Sequence, residues 1–277
     1  MTGIGILQGR LSPAPAGRPQ RFPIETWRQE FAQARAIGFD AIEWLITSDH
    51  LDANPLWHDA GLEEIRTLAT SSGVHVRSIC ADCFIGDPLV DAYGRARPAP
   101  LAQLRRLTLC AARLGCRLIL VPVLEESRLR DRRHAQALID ALQPLLELAA
   151  DHDVAVALES DWDGASLAGL LNGASRSRLR AYYDVGNAIA DGRDPCADLH
   201  ALADQVAGVH LKDRNSSGGS VPLGEGVVNL AAVFEALHQI RFNGTPILET
   251  PAGDDPTAAA TAGLRAVRAA TLLVNTP

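Results

Sequence analysis

The sequence predicts a single (β/α)8 barrel of the α/β class, with residues 1–277 forming one domain. Short apolar runs alternate with longer amphipathic segments along the whole chain, which is the order of strands and helices in a parallel sheet. Several runs are apolar almost throughout, as expected of strands buried on both faces. There are eight runs, the number that closes into a barrel. The runs are Gly3–Gln8, Ala41–Leu45, Val74–Cys80, Leu118–Val123, Val154–Glu159, Leu179–Asp184, Val206–Leu211 and Pro246–Thr250.

The segments between the runs have the spacing of amphipathic helices. Three of these segments stop at a glycine, namely Gly38, Gly73 and Gly115. Glycine readily adopts the left-handed conformation that ends many helices. The predicted helices include Glu25–Ile37, Leu62–Ser72, Leu101–Leu114, Ala135–Ala150, Leu230–Ile240 and Thr257–Leu273.

An open, doubly wound sheet is the structural alternative. Such a sheet usually has fewer strands, and it carries a glycine-rich phosphate-binding turn after its first strand. Residues 8–13 (QGRLSP) end and follow the first run here, and they do not match G-x-G-x-x-G. The barrel is therefore favoured. Two segments, Pro13–Pro23 and Asp82–Pro100, are predicted to be long loops over its mouth.

The composition narrows the classes of partner. The formal net charge is −7, from 26 basic and 33 acidic residues, and it argues against nucleic acid, whose partners usually have a basic face. No apolar run approaches the roughly 20 residues that cross a bilayer, and Met1–Leu7 lacks the features of a signal peptide. The five cysteines are scattered and odd in number, which fits reduced thiols. We therefore expect a cytoplasmic protein that acts on a small molecule and binds neither nucleic acid nor a membrane.

Four consecutive predicted strands, the fifth to the eighth, end in a side chain that can bind a metal ion. These side chains are Glu159, Asp184, His210 and Glu249. Each alone would more often be a helix cap, a surface charge or a structural hydrogen-bonding group. Together they occupy the barrel end where active sites lie, on strands about 4.8 Å apart, and the carboxylates would repel one another without a cation. We therefore predict one divalent ion, Mn²⁺ by preference, with Mg²⁺, Co²⁺ or Zn²⁺ as alternatives.

Short segments spread over nearly the whole chain resemble the sugar (phosphate) isomerase/epimerase group of xylose-isomerase-like TIM barrels. Their combination and order are more specific than any one of them. The segments are Gly5–Pro13 (GILQGRLSP), Gly38–Trp44 (GFDAIEW), Ser78–Phe84 (SICADCF), Leu158–Asp161 (LESD), Tyr183–Asn187 (YDVGN), His210–Arg214 (HLKDR), Val221–Gly226 (VPLGEG) and Ile247–Thr250 (ILET). The resemblance implies the xylose-isomerase-like barrel, a metal site on the four strand-end side chains, and a sugar or sugar-phosphate substrate. Dimers and tetramers are common in barrels of this kind, so a homodimer or homotetramer is expected.

At two positions this chain differs from some or many members of the family that it resembles. Many relatives carry a histidine three residues after the sixth-strand aspartate, where it helps to bind substrate, and this chain has Asn187. Asparagine still hydrogen-bonds a hydroxyl group but does not titrate near neutral pH. Some relatives with the QGRLSP opening end the eighth strand with glutamine, whereas this chain has Glu249. An intact pair of catalytic carboxylates is therefore expected.

The predicted reaction is isomerisation or epimerisation of a ketose or sugar phosphate. A proton must leave the carbon beside a ketone and another must return, and a bound divalent ion would polarise the carbonyl and stabilise the enediolate. Glu159 and Glu249 flank the other two ligands along the barrel. They are therefore predicted to act as base and acid on opposite faces of the carbon, as well as to bind the metal.

Several side chains beyond the ligands are predicted to contact the substrate. Lys212 and Arg214 alternate with His210 along one strand face, so they could hold a phosphate or a sugar oxygen. A solvated charged loop is the alternative interpretation of these two residues. Asn187 is expected to bind a hydroxyl group.

The first, second and fifth strands add further candidates for substrate contact. Gln8 and Arg10 alternate in the same way at the end of the first strand. Glu43 and Trp44 end the second strand, and one of them should face inward, with Glu43 as the candidate. Trp162, just after the fifth strand, could form a wall against a sugar ring, although a packing role is the alternative.

Three other functions remain open on this sequence. A metal-dependent dehydratase or lyase of a keto-sugar or cyclitol would use the same ligands and bases. A phosphodiesterase of the endonuclease IV type needs several metal ions and many histidines, whereas only His210 of the eight histidines ends a strand. A non-catalytic sugar-binding protein would not need all four ligands.

Overall fold

Eight parallel strands close into a barrel in the computed structural model, which describes residues 3–13, 20–172 and 178–274. Each strand pairs with its neighbours along the chain, and the first pairs with the last. The predicted barrel is thus confirmed. In chain order the strands are β1 (Gly5–Leu7), β2 (Ala41–Leu45), β3 (His75–Cys80), β4 (Leu118–Val123), β5 (Ala155–Ser160), β6 (Leu179–Asp184), β7 (Val206–Leu211) and β8 (Pro246–Leu248).

Ten α-helices accompany the strands within the described residues. They are α1 (Trp27–Ile37), α2 (Asp59–Ser72), α3 (Cys83–Gly86), α4 (Pro98–Leu114), α5 (Arg132–Asp151), α6 (Gly164–Asn172), α7 (Val185–Ala190), α8 (Pro195–Leu202), α9 (Leu230–Gln239) and α10 (Pro256–Val274). The six predicted helices correspond to α1, α2, α4, α5, α9 and α10, and their ends agree within three residues. No helix in the described part of the chain is both long and apolar enough to cross a membrane.

Glycines end three of the outer helices, as predicted. Gly38, Gly73 and Gly115 follow α1, α2 and α4 with φ angles of 104°, 72° and 73°. Each amide hydrogen bonds back to a carbonyl oxygen in the last turn of its helix. The chain can therefore turn sharply from the helix into the next strand.

The first and last strands are shorter than their apolar runs. β1 ends at Leu7, two residues before Gly9 turns the chain with a φ of 89°. β8 ends at Leu248, and Pro251 beyond it lacks the amide hydrogen that a longer ladder would need. The side chains that follow each strand are therefore carried on the barrel rim.

The two long loops predicted over the mouth have different outcomes. The prediction of one loop over Asp82–Pro100 is wrong in part, because α3 forms inside it and α4 already begins at Pro98. Pro98 and Pro100 lie in the first turn of α4, where a missing amide hydrogen leaves no helical hydrogen bond unmade. Residues 14–19 of the other predicted loop, Pro13–Pro23, lie outside the described residues.

Two apolar layers support the barrel. The larger lies between strands and helices, where Trp44 packs with Phe22 and Trp27 at ring-centroid distances of 5.4 Å. On β7, Gly208 leaves room for Tyr182, since a Cβ there would lie 2.3 Å from the tyrosine ring. The smaller layer fills the barrel interior with one buried side chain from each of the other strands, namely Leu7, Leu45, Cys80, Leu120, Ala157, Tyr182 and Ile247.

Candidate active site

A cavity of about 490 Å³ opens at the carboxyl ends of the strands. Its walls come from the strand ends, the loops that follow them, and a short antiparallel ribbon that pairs Asp213–Arg214 with Ser220–Val221. Twelve of its seventeen lining residues are polar or charged, which suits a small polar ligand. The polar lining residues are Arg10, Gln20, Asp82, Glu125, Glu159, Asn187, His210, Lys212, Arg214, Ser220, Glu249 and Thr250.

The structure brings the four predicted ligand side chains together. Glu159, Asp184 and His210 each offer a ligand atom within 4.8 Å of the others. Glu249 joins them, with its Oε2 2.9 Å from Nδ1 of His210. All four side chains are buried. The strand ends of β5 to β8 thus converge on one point, as their order along the barrel requires.

His210 is oriented so that one ring nitrogen faces these carboxylates. Its Nε2 lies 2.6 Å from Oε1 of Glu43, on the side away from the cluster. Its Nδ1 is close to Glu249 but not aligned for a hydrogen bond, and no described residue satisfies it. Burial opposes a charge on the ring, but the carboxylates of Glu249 and Glu43 outweigh it and raise the pKa of His210 well above its ordinary value. A divalent ion at Nδ1 would replace that proton.

Glu43 is the fixed support of His210. The carboxylate is completely buried and accepts hydrogen bonds from Ser78 Oγ at 2.5 Å and Tyr182 Oη at 2.7 Å. Sequence reasoning placed Glu43 on the inner face of β2 as a substrate contact, yet it is not among the cavity-lining residues. The signal for its actual surroundings was a carboxylate in an otherwise apolar strand, which requires buried donors.

Two cations balance the charge of Glu249. Lys212 Nζ lies 3.0 Å from Oε1 of Glu249 and 2.8 Å from Oδ2 of Asp184. Arg10 Nη2 lies 3.0 Å from the same Oε1. Burial alone would raise the pKa of Glu249, but Lys212, His210 and Arg10 hold it well below its usual range. This carboxylate is therefore kept ionised.

Lys212 is the only lysine of the chain, and the other 25 basic residues are arginines. Burial lowers its pKa, but the carboxylates of Asp184, Glu249 and Glu159 reverse that effect and raise the pKa above its ordinary value. A compact ammonium group fits between two carboxylates where a planar guanidinium would need more room. The local site therefore distinguishes lysine from arginine.

Glu159 has different surroundings from Glu249. Burial, followed by the negative charge of Asp184, raises the pKa of Glu159 to about 8. Its Oε1 accepts a hydrogen bond from Asn187 Nδ2 at 3.0 Å. The two glutamates thus differ in proton affinity, as carboxylate pairs that divide acid and base roles commonly do.

Asn187 links this cluster to the cavity rim. Its amide oxygen accepts a hydrogen bond of 2.9 Å from Arg214 Nη2, and Arg214 Nη1 donates to Ser220 Oγ at 2.8 Å. The buried carboxylate of Asp213 fixes the loop behind Arg214 by accepting four backbone amide hydrogen bonds at 2.9–3.1 Å, one of them from Arg214 itself. Arg214 is therefore held at the rim by a preformed loop.

Four of the predicted substrate contacts line the cavity, and three do not. Arg10, Asn187, Lys212 and Arg214 are lining residues. Gln8 is buried, and its Oε1 accepts a hydrogen bond of 3.1 Å from the amide of Leu45. The indole nitrogen of Trp162 donates to the carbonyl of Leu129 at 3.2 Å. Gln8, Trp162 and Glu43 thus surround the site without lining it.

Sequence reasoning missed five polar lining residues, namely Gln20, Asp82, Glu125, Ser220 and Thr250. Gln20 accepts a hydrogen bond of 2.6 Å from Arg10 and donates one of 3.3 Å to Asp82. Burial raises the pKa of Asp82 to about 6. Asp82 lies two residues after the end of β3, so the search of strand ends that gave the predicted ligands could also have given this residue.

Comparison with known proteins gives one family match and several relatives. The family model described as xylose isomerase-like TIM barrel matches residues 31–270. L-ribulose-5-phosphate 3-epimerase UlaE of Shigella boydii and the same enzyme of Escherichia coli are each 28% identical to this chain over 276 residues. These alignments cover 92% of this chain and 90% of each relative.

Solved structures of low identity share the fold. The 3-keto-D-glucoside 4-epimerase YcjR of E. coli aligns with a TM-score of 0.71 at 20% identity, over 96% of this chain and 98% of its own. A structure of L-ribulose 3-epimerase aligns with a TM-score of 0.71 at 18% identity, over 100% and 99%. A Mycobacterium smegmatis barrel in complex with magnesium aligns with a TM-score of 0.73 at 17% identity, over 99% and 98%.

Proposed function

Because this chain belongs to the family of xylose isomerase-like TIM barrels, we propose that it is a divalent-metal-dependent sugar epimerase. Its curated relatives, aligned over nine-tenths of the chain, are 3-epimerases of L-ribulose 5-phosphate, so the substrate we propose is a ketose or a ketose phosphate. The observation that carries the proposal is the convergence of Glu159, Asp184 and His210, with ligand atoms within 4.8 Å of one another, beside Glu249.

The donor set fits a divalent ion. Nδ1 of His210 is buried without a hydrogen bond to any described residue and lies 2.9 Å from Glu249 and 3.8 Å from Asp184. An oxygen-rich set of this kind suits Mn²⁺ or Mg²⁺. When bound, the ion would polarise the substrate carbonyl and offset the negative charge that develops as the neighbouring carbon loses its proton. The residues that would hold it are Glu159, Asp184, His210 and Glu249.

Glu159 and Glu249 are the proposed proton carriers. Asn187 anchors one oxygen of Glu159, while Lys212 and Arg10 anchor one oxygen of Glu249. Each carboxylate is thereby held at a fixed angle to the cavity, which is the requirement for proton transfer to and from carbon. Because they come from β5 and β8, on either side of the β6 and β7 ligands, they can address opposite faces of a substrate carbon.

The remaining predicted contacts divide into two groups. Asn187, Lys212 and Arg214 line the cavity, and we assign them to sugar oxygens or to a phosphate. Arg10 also lines the cavity, and we assign it to the carboxylate of Glu249, which its guanidinium group contacts at 3.0 Å. Glu43, Gln8 and Trp162 are assigned to support of the walls, with Glu43 holding the ring of His210.

The test is incubation of the Mn²⁺-loaded protein with ketoses, their phosphates and keto-cyclitols in D₂O. Epimerisation through proton transfer would place solvent deuterium on the inverted carbon, and mass and NMR spectra would identify that position. Absence of both deuterium and epimer with every compound would contradict the proposal. A product lighter by one water would instead identify a dehydratase.

Matched variants separate catalysis from binding in the same assay. Glu159→Gln and Glu249→Gln each keep the shape of the side chain but remove its ability to carry a proton. We expect either to lower kcat by about 10²–10⁴-fold, the range for loss of a general acid or base. Glu126→Gln, an exposed carboxyl outside this cavity, is the control and should retain wild-type kcat.

A further inference from the structure

Helix α1 buries a carboxylate against the turn that follows β1. Glu30, in the first turn of the helix, is 1% exposed. The amide of Gly9 donates to its two oxygens at 3.1 and 3.0 Å, and the hydroxyl of Ser12 donates at 2.7 Å. The amide of Leu11 donates to the same carboxylate. The carboxylate of Glu30 thus accepts the hydrogen bonds that the turn formed by residues 8–12 donates.

This turn is tightly constrained on its other side as well. Gly9 has a φ of 89°, and a Cβ there would lie 2.8 Å from the carbonyl oxygen of Arg21. The amide of Arg10 bonds back to the carbonyl of Leu7 at 3.2 Å. The turn therefore sends the Arg10 side chain into the cavity, where it meets Glu249 at 3.0 Å.

Stability alone does not explain a carboxylate at this position. Burial raises the pKa of Glu30 to about 7, even though the donors of Gly9, Ser12 and Leu11 and the charge of Arg10 all favour the ionised form. A buried ionised group costs free energy that a neutral side chain of similar shape avoids. We therefore attribute the role of Glu30 to its effect on Arg10, which lies on this turn.

We propose that Glu30 is a positioning residue for Arg10. It fixes the turn of residues 8–12 so that the guanidinium group of Arg10 contacts the carboxylate of Glu249. The kinetic consequence rests on the proposed epimerase function. Arg10 contacts a proposed proton carrier, so loosening the turn should disturb proton transfer more than substrate binding. The conformational part of the proposal is independent of the reaction.

The kinetic test compares Glu30→Gln, Arg10→Met and the double variant. We expect Glu30→Gln to lower kcat about tenfold while KM changes less than about twofold, because the interaction acts on the transfer step. In the Arg10→Met background the same change should have little further effect, since residues that act through one another are not additive. Equal effects of Glu30→Gln in both backgrounds would overturn the proposal. Glu25→Gln, exposed just before the same helix, is the control.

The conformational test does not require turnover. Hydrogen–deuterium exchange of the peptide covering residues 7–12 should accelerate in Glu30→Gln and remain unchanged in Glu25→Gln. Unchanged exchange in Glu30→Gln would overturn the proposal whatever the enzyme's reaction. If the wild type turns over no sugar while exchange responds as expected, the proposed function fails and the positioning role stands.

Two further variants keep the proposal testable if Glu30→Gln or Arg10→Met folds poorly. Ser12→Ala removes one donor but keeps the carboxylate, so it should produce the same changes in kcat and exchange to a smaller extent. Arg10→Lys keeps the charge with a different geometry and replaces Arg10→Met if that variant does not fold. A wild-type kcat and exchange rate in Ser12→Ala, together with no coupling in the Arg10→Lys background, would reject the proposal.

Discussion

A carboxylate in the middle of a barrel strand needs buried donors, and Glu43 has three. Ser78 and Tyr182 supply hydroxyl groups, and His210 supplies Nε2 at 2.6 Å. With Nε2 turned to Glu43, Nδ1 faces the other carboxylates. Outer partners of this kind orient a histidine ligand and set which nitrogen binds a metal.

Replacing Glu43 by glutamine should therefore weaken the metal site without touching any ligand. The amide would present a donor or a weaker acceptor to Nε2 and favour a proton on Nδ1, the nitrogen that the proposed metal ion would bind. We expect the Kd for Mn²⁺ to rise about 10–100-fold in titration calorimetry. Ser78→Ala, which leaves the contact between Glu43 and His210 in place, should change Kd much less. An unaltered Kd in Glu43→Gln would contradict the assigned role.

The sole lysine gives a second prediction about single residues. Lys212 Nζ lies 3.0 Å from Glu249 and 2.8 Å from Asp184, two of the proposed metal ligands. In Lys212→Met the metal-free protein should unfold at a lower temperature, because buried carboxylates lose their counter-ion. Mn²⁺ should bind more tightly, because no ammonium group offsets the negative charge of these carboxylates. Lys212→Arg is the matched variant, and weaker Mn²⁺ binding by Lys212→Met would contradict the prediction.

Sequence reasoning predicted the side chains that the structure brings together at the strand ends, but it did not predict the contacts that hold them there. Each predicted ligand ends an apolar run, which is a local signal. The contact of Glu43 with His210 spans 167 residues along the chain and exists only because the barrel closes. Glu30 reaches Gly9 in the same non-local way, across the turn into α1.

At the scale of elements, long periodic helices and apolar strands were predicted well and short helices were not. Helices α3 and α7 have four and six residues, too few to show a 3.6-residue repeat. Asp184 begins α7 by accepting a hydrogen bond of 2.8 Å from the amide of Asn187. A side chain predicted only as a ligand therefore also starts a helix, and it does so because a strand end and a helix start coincide.

The pairing of β6 with β7 makes Gly208 a position where a methyl group matters. The register shifts between Ala181 and Tyr182, and a Cβ on Gly208 would lie 2.3 Å from the tyrosine ring. Gly208→Ala should cost about 1–3 kcal/mol of unfolding free energy, the usual result of overpacking. It should also weaken Mn²⁺ binding, because Tyr182 donates to Glu43. Gly169→Ala on α6, with nothing within 4 Å, is the control and should be neutral or stabilising.

Glu30, in helix α1, should make the free energy of unfolding depend on pH. Its folded-state pKa is about 7, above the ordinary value of 4.5, with Arg10 the charged group that faces it. The stability due to its retained proton is present below pH 4.5 and is lost as pH rises to about 7, a change of about 3 kcal/mol. In EDTA, the thermal midpoint of wild type minus that of Glu30→Gln should therefore fall between pH 5 and pH 8. A difference that stays constant or increases would contradict this.

At the scale of the whole molecule, the barrel follows from patterns that repeat along the chain, whereas the specificity of its cavity does not. Eight apolar runs constrain the topology, and any one of them could be read incorrectly without changing it. The cavity is also lined by Gln20, Asp82 and Glu125, which lie outside the barrel strands on the segments that connect them to the helices. Their placement depends on tertiary contacts such as the 3.3 Å bond between Gln20 and Asp82, so the sequence alone does not identify the sugar.

Metal binding should also be visible in the stability of the whole chain. A ligand that binds only the folded state at 100 times its Kd stabilises it by about 2.7 kcal/mol, which corresponds to an increase in thermal midpoint of roughly 5 °C for a chain of this size. Mn²⁺ should produce this increase and EDTA should reverse it. Asp184→Asn should abolish it, whereas the exposed Asp204→Asn should not. Because four separate strands would supply the proposed ligands, a bound ion would connect half of the barrel strands. A metal effect that survives in Asp184→Asn would therefore place the ion elsewhere.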